Sequence, residues 1–199
     1  MRLFLTILFV FAAAPTFAQV APATPDTRGR ASDPPAAIAA PKPTVAQFLK
    51  KLPGHWAGEQ VMRCPKGNFM TMQVTETYRD EKRGEHAGVA GELVCTIGSG
   101  DKAKTIRSTS FTWGDADGKG HSEVTQDGKT EKYITFISGD TLVFIPDTPL
   151  NKDGKRDKPE NGSGLSELAE KDGIFLVKKG FVTAPDGVYL IRGKLKKGK

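Results

Sequence analysis

The sequence predicts a mainly β protein, an antiparallel up-and-down β-barrel preceded by one short helix. Apolar and polar residues alternate with a period of two through most of the chain after residue 54, as in strands with one buried face. Turn-forming pairs such as Asp127-Gly128 and Gly139-Asp140 separate some nine or ten such segments. A barrel removes exposed sheet edges, so we favour it over a β-sandwich, which the same pattern leaves open.

The first residues predict an export signal. Met1-Arg2 is a basic start, an apolar run extends to Ala14, and Ala18 ends a small-residue cleavage site. The apolar run is shorter than the roughly 20 residues that cross a bilayer, so we expect cleavage after Ala18 and no membrane span. The signal therefore covers residues 1–18, and the mature protein is expected to be periplasmic or secreted.

A linker is predicted between the signal and the folded domain. Residues 19–43 are rich in Ala and Pro and contain almost nothing to bury, so they should be disordered. The barrel domain is then expected at residues 44–199, a length sufficient for one hydrophobic core.

The net charge of the chain is +6, from 29 basic and 23 acidic residues. Removal of Arg2 with the signal leaves 28 basic and 23 acidic residues, a net charge of +5. Such an excess favours weak contact with anionic envelope polymers, including through the basic C-terminal residues. Nucleic acid is excluded as a partner, because an exported location does not fit it and no aromatic-and-basic recognition motif accompanies the charge.

The helix is predicted at the start of the domain, with Thr44 as its N-cap and Pro53 as its end after about two turns. Its apolar residues share one face, which must pack on something larger because so short a helix is marginal alone. These residues are Val45, Phe48, Leu49 and Leu52.

The strands follow in order, with charged turns between them. We predict a solvated turn at residues 80–85 and a long polar loop at 146–162. The first three strands each place one apolar set on one face: Trp56, Gly58, Gln60 and Met62; Met70, Met72, Val74 and Tyr78; and Val89, Gly91, Leu93, Cys95 and Ile97. Later strands are predicted at 104–113, 121–126, 130–138, 141–145, 165–170, 174–181 and 188–196.

The segment Gly54-His55-Trp56 opens the first strand directly after the helix, and Arg192 lies in the last strand. This order resembles the lipocalin-like, or calycin, superfamily of small barrels. The resemblance implies that Trp56 packs at the base of the barrel and that a basic residue near the end of the last strand covers it, a role that would fall to Arg192. A cation over an indole ring contributes about 0.5 to 2 kcal/mol when desolvated.

Six residues form a candidate ligand-binding set inside this barrel. Methionine adapts to varied apolar shapes, which suits a pocket for a small apolar or amphipathic molecule. Such a pocket requires roughly 300 Å³ or more. Plain core packing explains the same residues without a ligand. The set is Met62, Met70, Met72, Val74, Tyr78 and Leu93.

The two cysteines, Cys64 and Cys95, predict one disulfide in an oxidising compartment. Such a bond would close a loop of about 30 residues and contribute roughly 3 kcal/mol. Two buried free thiols on neighbouring strands are the alternative.

No catalytic residue, metal or cofactor is predicted. The sequence has no Gly-x-Ser-x-Gly, no His-Glu-x-x-His and no phosphate-binding glycine loop. His55, His86 and His121 lie near predicted strand ends or turns and are interpreted as surface or structural residues. Residues 149–160 approach a calcium-loop pattern, but Pro149 stands where a carboxylate is needed, so we interpret them as a solvated loop.

These observations predict an exported barrel that binds a small apolar or amphipathic ligand or acts as an envelope accessory protein. The alternative is a rigid β-scaffold that binds an envelope enzyme or an anionic glycan through its loops. A barrel enzyme is a third hypothesis.

Overall fold

The computed structural model of the protein describes residues 43–147, 162–170, 173–184 and 186–198. The expected signal, the linker up to residue 42 and the calcium-like loop lie outside the described residues. Ten strands form one closed antiparallel barrel, which confirms the prediction of a mainly β, antiparallel barrel. The strands are β1 Gly54–Arg63, β2 Phe69–Arg83, β3 His86–Ile97, β4 Lys104–Gly114, β5 Gly120–Gln126, β6 Lys129–Ser138, β7 Thr141–Pro146, β8 Gly162–Glu170, β9 Ile174–Ala184 and β10 Gly187–Lys197.

Each strand pairs with its neighbours in the chain, and β10 closes the barrel by pairing with β1. The closing register runs from Trp56 opposite Lys197 to Arg63 opposite Leu190. Gly58 allows the two strands to approach, because a Cβ there would collide with the carbonyl oxygen of Lys194. The sheet therefore has no open edge in its described part.

The alternation in the sequence corresponds to the inner and outer faces of the wall. In β1, Trp56, Gln60 and Met62 are buried, whereas His55 and Glu59 are exposed. The inner faces predicted for the first three strands are the more buried ones, because the side chains of a strand point alternately to its two sides.

Tight turns join the strands where glycine allows it. Asp127 and Gly128, between β5 and β6, have φ angles of 50° and 73°, the positive pair that a type I′ hairpin requires. The solvated turn predicted at residues 80–85 is longer than the turn in the structure. The pairing of β2 with β3 continues to Arg83 opposite His86, because exposed charged residues still form backbone hydrogen bonds, and only Gly84 and Glu85 make the turn.

One short helix, α1 at Val45–Leu49, precedes the barrel. It is shorter than the two turns predicted and covers only part of the predicted segment. Thr44 caps it: the Thr44 hydroxyl accepts from the Gln47 backbone, and the Gln47 side chain accepts from the Thr44 backbone. The helix packs against β3, β4 and β6 at one end of the barrel, which we call the helix end.

Candidate functional site

A cavity of about 90 Å³ lies inside the barrel, in the half that α1 covers. Serine and threonine occupy inward positions of β4, β5 and β8 here, and their small side chains leave the space unfilled. The lining combines polar and apolar residues. The polar residues are Glu76, Tyr78, Glu92, Ser108, Ser110, Thr112, Ser122, Ser166 and Lys178, and the apolar ones include Leu49, Leu52, Leu93, Val124, Leu142, Phe144 and Leu176.

A buried ion pair lines this cavity. Glu76 of β2 is 1% exposed and Lys178 of β9 is 7% exposed. The Lys178 ammonium donates to both carboxylate oxygens of Glu76, each at 2.5 Å. The burial of two charges away from water costs desolvation free energy. The pair is therefore weak evidence for stability and stronger evidence for a specific role.

Tyr78 completes the cluster. Its hydroxyl donates to Glu76 Oε2 at 2.6 Å and accepts from the Lys178 ammonium at 3.2 Å. Burial raises the pKa of Tyr78 well above its ordinary value, and the Glu76 charge and the hydrogen bond to it act in the same direction. Tyr78 therefore remains a neutral phenol, which can offer hydrogen bonds but not a phenolate nucleophile.

The missing side chain at Gly91 makes room for the Tyr78 ring. Gly91 pairs with Tyr78 on β2 and with Ser110 on β4. A Cβ at Gly91 would lie 2.7 Å from the ring carbon Cε1 of Tyr78 and 2.6 Å from the Ser110 hydroxyl oxygen. The absent side chain leaves room for the aromatic ring to lie across the wall.

Hydroxyl groups line the cavity from three strands, β4, β5 and β8. The hydroxyls of Thr112 and Ser122 hydrogen-bond to each other at 2.8 Å between β4 and β5. Ser166 of β8 pairs with Lys178, so its side chain faces the cavity next to the ammonium. These groups can both donate and accept hydrogen bonds to a molecule in the cavity.

The helix end is closed by Trp56. Its indole nitrogen donates to the carbonyl oxygen of Leu52 at 2.8 Å, which ties the segment after α1 to the barrel. Leu49, the last residue of α1, and Leu52 line the cavity. The helix and the residues after it therefore cover the cavity at this end.

The cation over Trp56 is Lys197, whose ammonium lies 5.0 Å from the ring centroid and donates to the Lys51 carbonyl oxygen at 3.1 Å. The role expected for Arg192 is therefore wrong. Arg192 pairs with Val61 and is exposed on the outer face. Gly54, at the start of β1, has a φ angle of 131°, and the Lys197 side chain passes against it.

The structure divides the predicted ligand-binding set between two regions. Tyr78 and Leu93 line the cavity. The other four lie in the packed core: Met62, Met72 and Val74 are fully buried, and Met70 packs against them. Met62 pairs with Met70 near the turn between β1 and β2, so the methionines fill the barrel half away from α1.

Glu76 and Lys178 are absent from the predicted set, although the alternation contains a signal for both. Glu76 has the same parity as Val74 and Tyr78 and so belongs to the inner face of β2. Lys178 has the parity of Leu176 and Val182, both buried on β9. A charged residue at an inward position of an otherwise apolar strand face is the sequence pattern that indicates each of them.

The predicted disulfide is wrong, because both cysteines are free. The backbone N–H of Cys64 donates to the carbonyl oxygen of Asn68, and Cys95 pairs with Val74 on β2. Val74 lies six positions after Asn68 along the chain. Six residues of a strand span about 20 Å, well beyond the Cα separation of about 7 Å that a disulfide tolerates. Burial, and then the Glu76 charge, raise the pKa of Cys95 to about 11.

The three histidines are all placed on the outside of the barrel wall or at its rim. His86 and His121 both contact the Trp113 ring, with ring centroids 5.0 and 5.4 Å away. His121 Nε2 hydrogen-bonds to Asp115 at 2.7 Å. Within the described residues, no group of three or more potential metal ligands comes together.

A second depression, of about 450 Å³, lies between α1 and the hairpin of β2 and β3. Its rim is charged and includes Asp80, Glu81 and Lys82. Glu81 is engaged by Arg79 and Arg83 at 2.9 and 2.6 Å. The depression is an external groove with a solvated rim, so the internal cavity is the stronger candidate site.

A comparison with known proteins finds no family model that matches the chain and no curated protein with significant similarity to it. In the part of the chain that the structure describes, no helix is long and apolar enough to cross a membrane.

Proposed function

We propose that the barrel binds a small amphipathic molecule in its internal cavity. The observation that carries this proposal is the buried pair of Glu76 and Lys178, which opens onto a cavity instead of being enclosed by packed side chains. Natural ligand sites combine an apolar wall with a few convergent polar groups in this way. The apolar body of the ligand would lie against Leu142 and Leu176.

The size of the cavity limits the ligand. About 90 Å³ is well below the roughly 300 Å³ that the pocket expected from the sequence requires. A pocket of that size is therefore not present inside the described part of the barrel, and the proposal is restricted to a much smaller molecule. An apolar cavity of roughly 150 Å³ holds benzene. The proposed ligand is therefore smaller than benzene.

The charge of the site selects a neutral polar group. Glu76 and Lys178 compensate each other. A ligand with its own charge would leave one buried charge without compensation, which costs several kcal/mol. A hydroxyl, carbonyl or amide group can instead bond to Tyr78 and Ser166 without disturbing the pair.

The test is a titration with ethanol, acetone and acetamide, which are all smaller than benzene, with acetate and ethylamine as charged analogues. Binding is followed by the backbone amide resonances of Gly91 and Ser166. We expect saturable shifts with the neutral compounds and much weaker ones with the charged compounds. The absence of saturable shifts with every compound would refute the proposal.

A matched pair of double variants controls for the polar cluster. Glu76→Gln with Lys178→Met removes the internal pair, whereas Glu123→Gln with Lys132→Met removes a pair outside the cavity whose atoms lie 3.4 Å apart. We expect the first to abolish the selectivity for neutral polar groups and the second to leave it unchanged. Equal binding by both variants would show that the internal pair plays no part in recognition.

We also infer that the protein is exported and has a lipocalin-like architecture. The basic start, apolar run and Ala18 support export. Gly54 and Trp56 at the start of β1, with a Lys197 cation over the indole, support the architecture. The ten strands are a departure, since lipocalin barrels have eight. Mass spectrometry of the protein from its native source should find Gln19 as the first residue; an N-terminus at Met1 would contradict export by cleavage.

A further inference from the structure

The barrel end opposite α1 carries exposed apolar and cationic side chains side by side. One corner of this end is formed by the turn between β1 and β2 and by the turn between β9 and β10. The two turns touch, since a Cβ at Gly187 would lie 2.7 Å from the Pro65 Cβ. We define the basic corner as Arg63, Lys66, Phe69, Val188, Leu190 and Arg192.

The apolar part of the basic corner is unusually exposed. Phe69 is 69% exposed, Val188 is 48% and Leu190 is 37%. Only Phe136 and Ile174 are comparable among the large apolar side chains of the described residues. Exposed apolar side chains gathered at one place mark an interaction surface more often than scattered ones do.

The strand register places cations between these apolar residues. Arg63 pairs with Phe69 on one side and with Leu190 on the other. Arg192 follows Leu190 on the outer face of β10, and Lys66 lies in the exposed turn next to Pro65. Three cations and three large apolar side chains thus share one corner.

Further lysines extend the positive charge along the outer wall. Lys194 and Lys196 follow Arg192 on the outer face of β10, and Lys179 pairs with Arg192 from β9. Among the residues that the structure describes, two carboxylates lie near this region. Asp186 accepts a hydrogen bond from the Tyr189 hydroxyl at 2.7 Å, and Glu59 pairs with Lys194. The region keeps a clear excess of positive charge.

We propose that the basic corner docks on the surface of an anionic lipid bilayer. Phe69, Val188 and Leu190 enter the boundary between head groups and acyl chains, while Arg63 and Arg192 meet the lipid phosphates. Interfacial binding requires both buried apolar area and attraction to anionic lipid, and the corner supplies both within a few residues.

Two other occupants fit the corner less well. A soluble anionic polymer would engage the cations and leave the apolar side chains in water. A second copy of the chain, joined by a two-fold axis, would bring the same cations against each other. The combination of charge and apolar exposure therefore favours a lipid surface.

The test is co-sedimentation of the full chain with vesicles of phosphatidylglycerol and phosphatidylcholine, compared with vesicles of phosphatidylcholine alone. We expect binding to the anionic vesicles and a loss of about tenfold or more without the anionic lipid, since each cation near such a surface adds to the attraction. Equal binding to both vesicle types, or none to the anionic ones, would overturn the proposal.

Matched substitutions separate the contributions. Phe69→Ser with Leu190→Ser should weaken vesicle binding about tenfold or more, because the double substitution removes apolar surface that enters the bilayer. Phe136→Ser is the control, since Phe136 is 38% exposed but lies on β6, on another part of the wall. Binding that dextran sulfate displaces equally well from the native protein and the double variant would overturn the proposal in favour of a polymer site. A native dimer that the double variant converts to a monomer, without vesicle binding, would overturn it in favour of a self-association surface.

Discussion

Glu76 and Lys178 are 102 residues apart in the chain, yet their charged groups meet at 2.5 Å inside the barrel. Glu76 pairs with Trp56 on β1, and Lys178 pairs with Ser166 on β8. The two strands that carry them, β2 and β9, are not neighbours in the sheet, so the pair spans the interior. Closure of the barrel is what brings them together.

Removal of one member of this pair should destabilise the fold strongly. Lys178→Met leaves the Glu76 carboxylate buried and uncompensated, which we expect to lower the free energy of unfolding by about 3 to 5 kcal/mol. Glu76→Gln with Lys178→Met should recover most of that loss. Urea denaturation measures both. A single variant within about 1 kcal/mol of the native protein would show that the charge is compensated elsewhere.

A methyl group at Gly91 should destabilise the cavity wall. Gly91→Ala drives a Cβ into the Tyr78 ring and the Ser110 hydroxyl, and overpacking of this kind costs about 1 to 3 kcal/mol. Gly198→Ala is the control, because its Cβ would meet no atom closer than 3.4 Å. Thermal denaturation should distinguish the two variants, and equal melting temperatures would contradict the role assigned to Gly91.

Three substitutions test the closure at the helix end. Trp56→Ala empties a fully buried aromatic site and should cost about 3 to 5 kcal/mol. Lys197→Met removes the cation over the indole and should cost about 0.5 to 1 kcal/mol, whereas Arg192→Met should be neutral within about 0.5 kcal/mol. Guanidinium denaturation gives all three values. A larger loss from Arg192→Met than from Lys197→Met would reverse the assignment.

Thiol chemistry should show two free cysteines of unequal reactivity. Cys95 is buried and Cys64 is partly exposed, so iodoacetamide at neutral pH should modify Cys64 first. In denaturant both should react without added reductant, as counted by mass spectrometry. Labelling that requires reductant would mean that the disulfide forms after all.

The stability should fall in alkaline solution. The pKa of Cys95 is raised from 9.0 to about 11 in the folded state, so between these values the unfolded chain loses a proton that the native state keeps. The free energy of unfolding therefore decreases as pH rises from about 9 to 11, and the raised pKa of Tyr78 extends the decrease above pH 10. Cys95→Ala should flatten the first part of this profile, and an unchanged slope would contradict the assignment.

Much of the wall could be predicted from single strands, because the direction of a side chain depends on its parity within the strand. The inward positions of Trp56, Met62 and Met72 follow from this rule. The same rule places Arg192 outside and Lys197 inside, since Ile191 and Leu195 are buried on β10. Parity by itself therefore favours Lys197 over Arg192 as the cation that reaches Trp56.

The alternation of the sequence alone determined the strands, most of their turns and the inner face of each, because these depend on neighbouring residues. The tertiary structure decided what no local pattern contains: the partner of Glu76, the separation of Cys64 from Cys95, and the division of the interior into a methionine core and a hydroxyl-lined cavity. The physical reason is closure. The register between β1 and β10 sets which distant residues face each other across the barrel, and that register depends on all ten strands together.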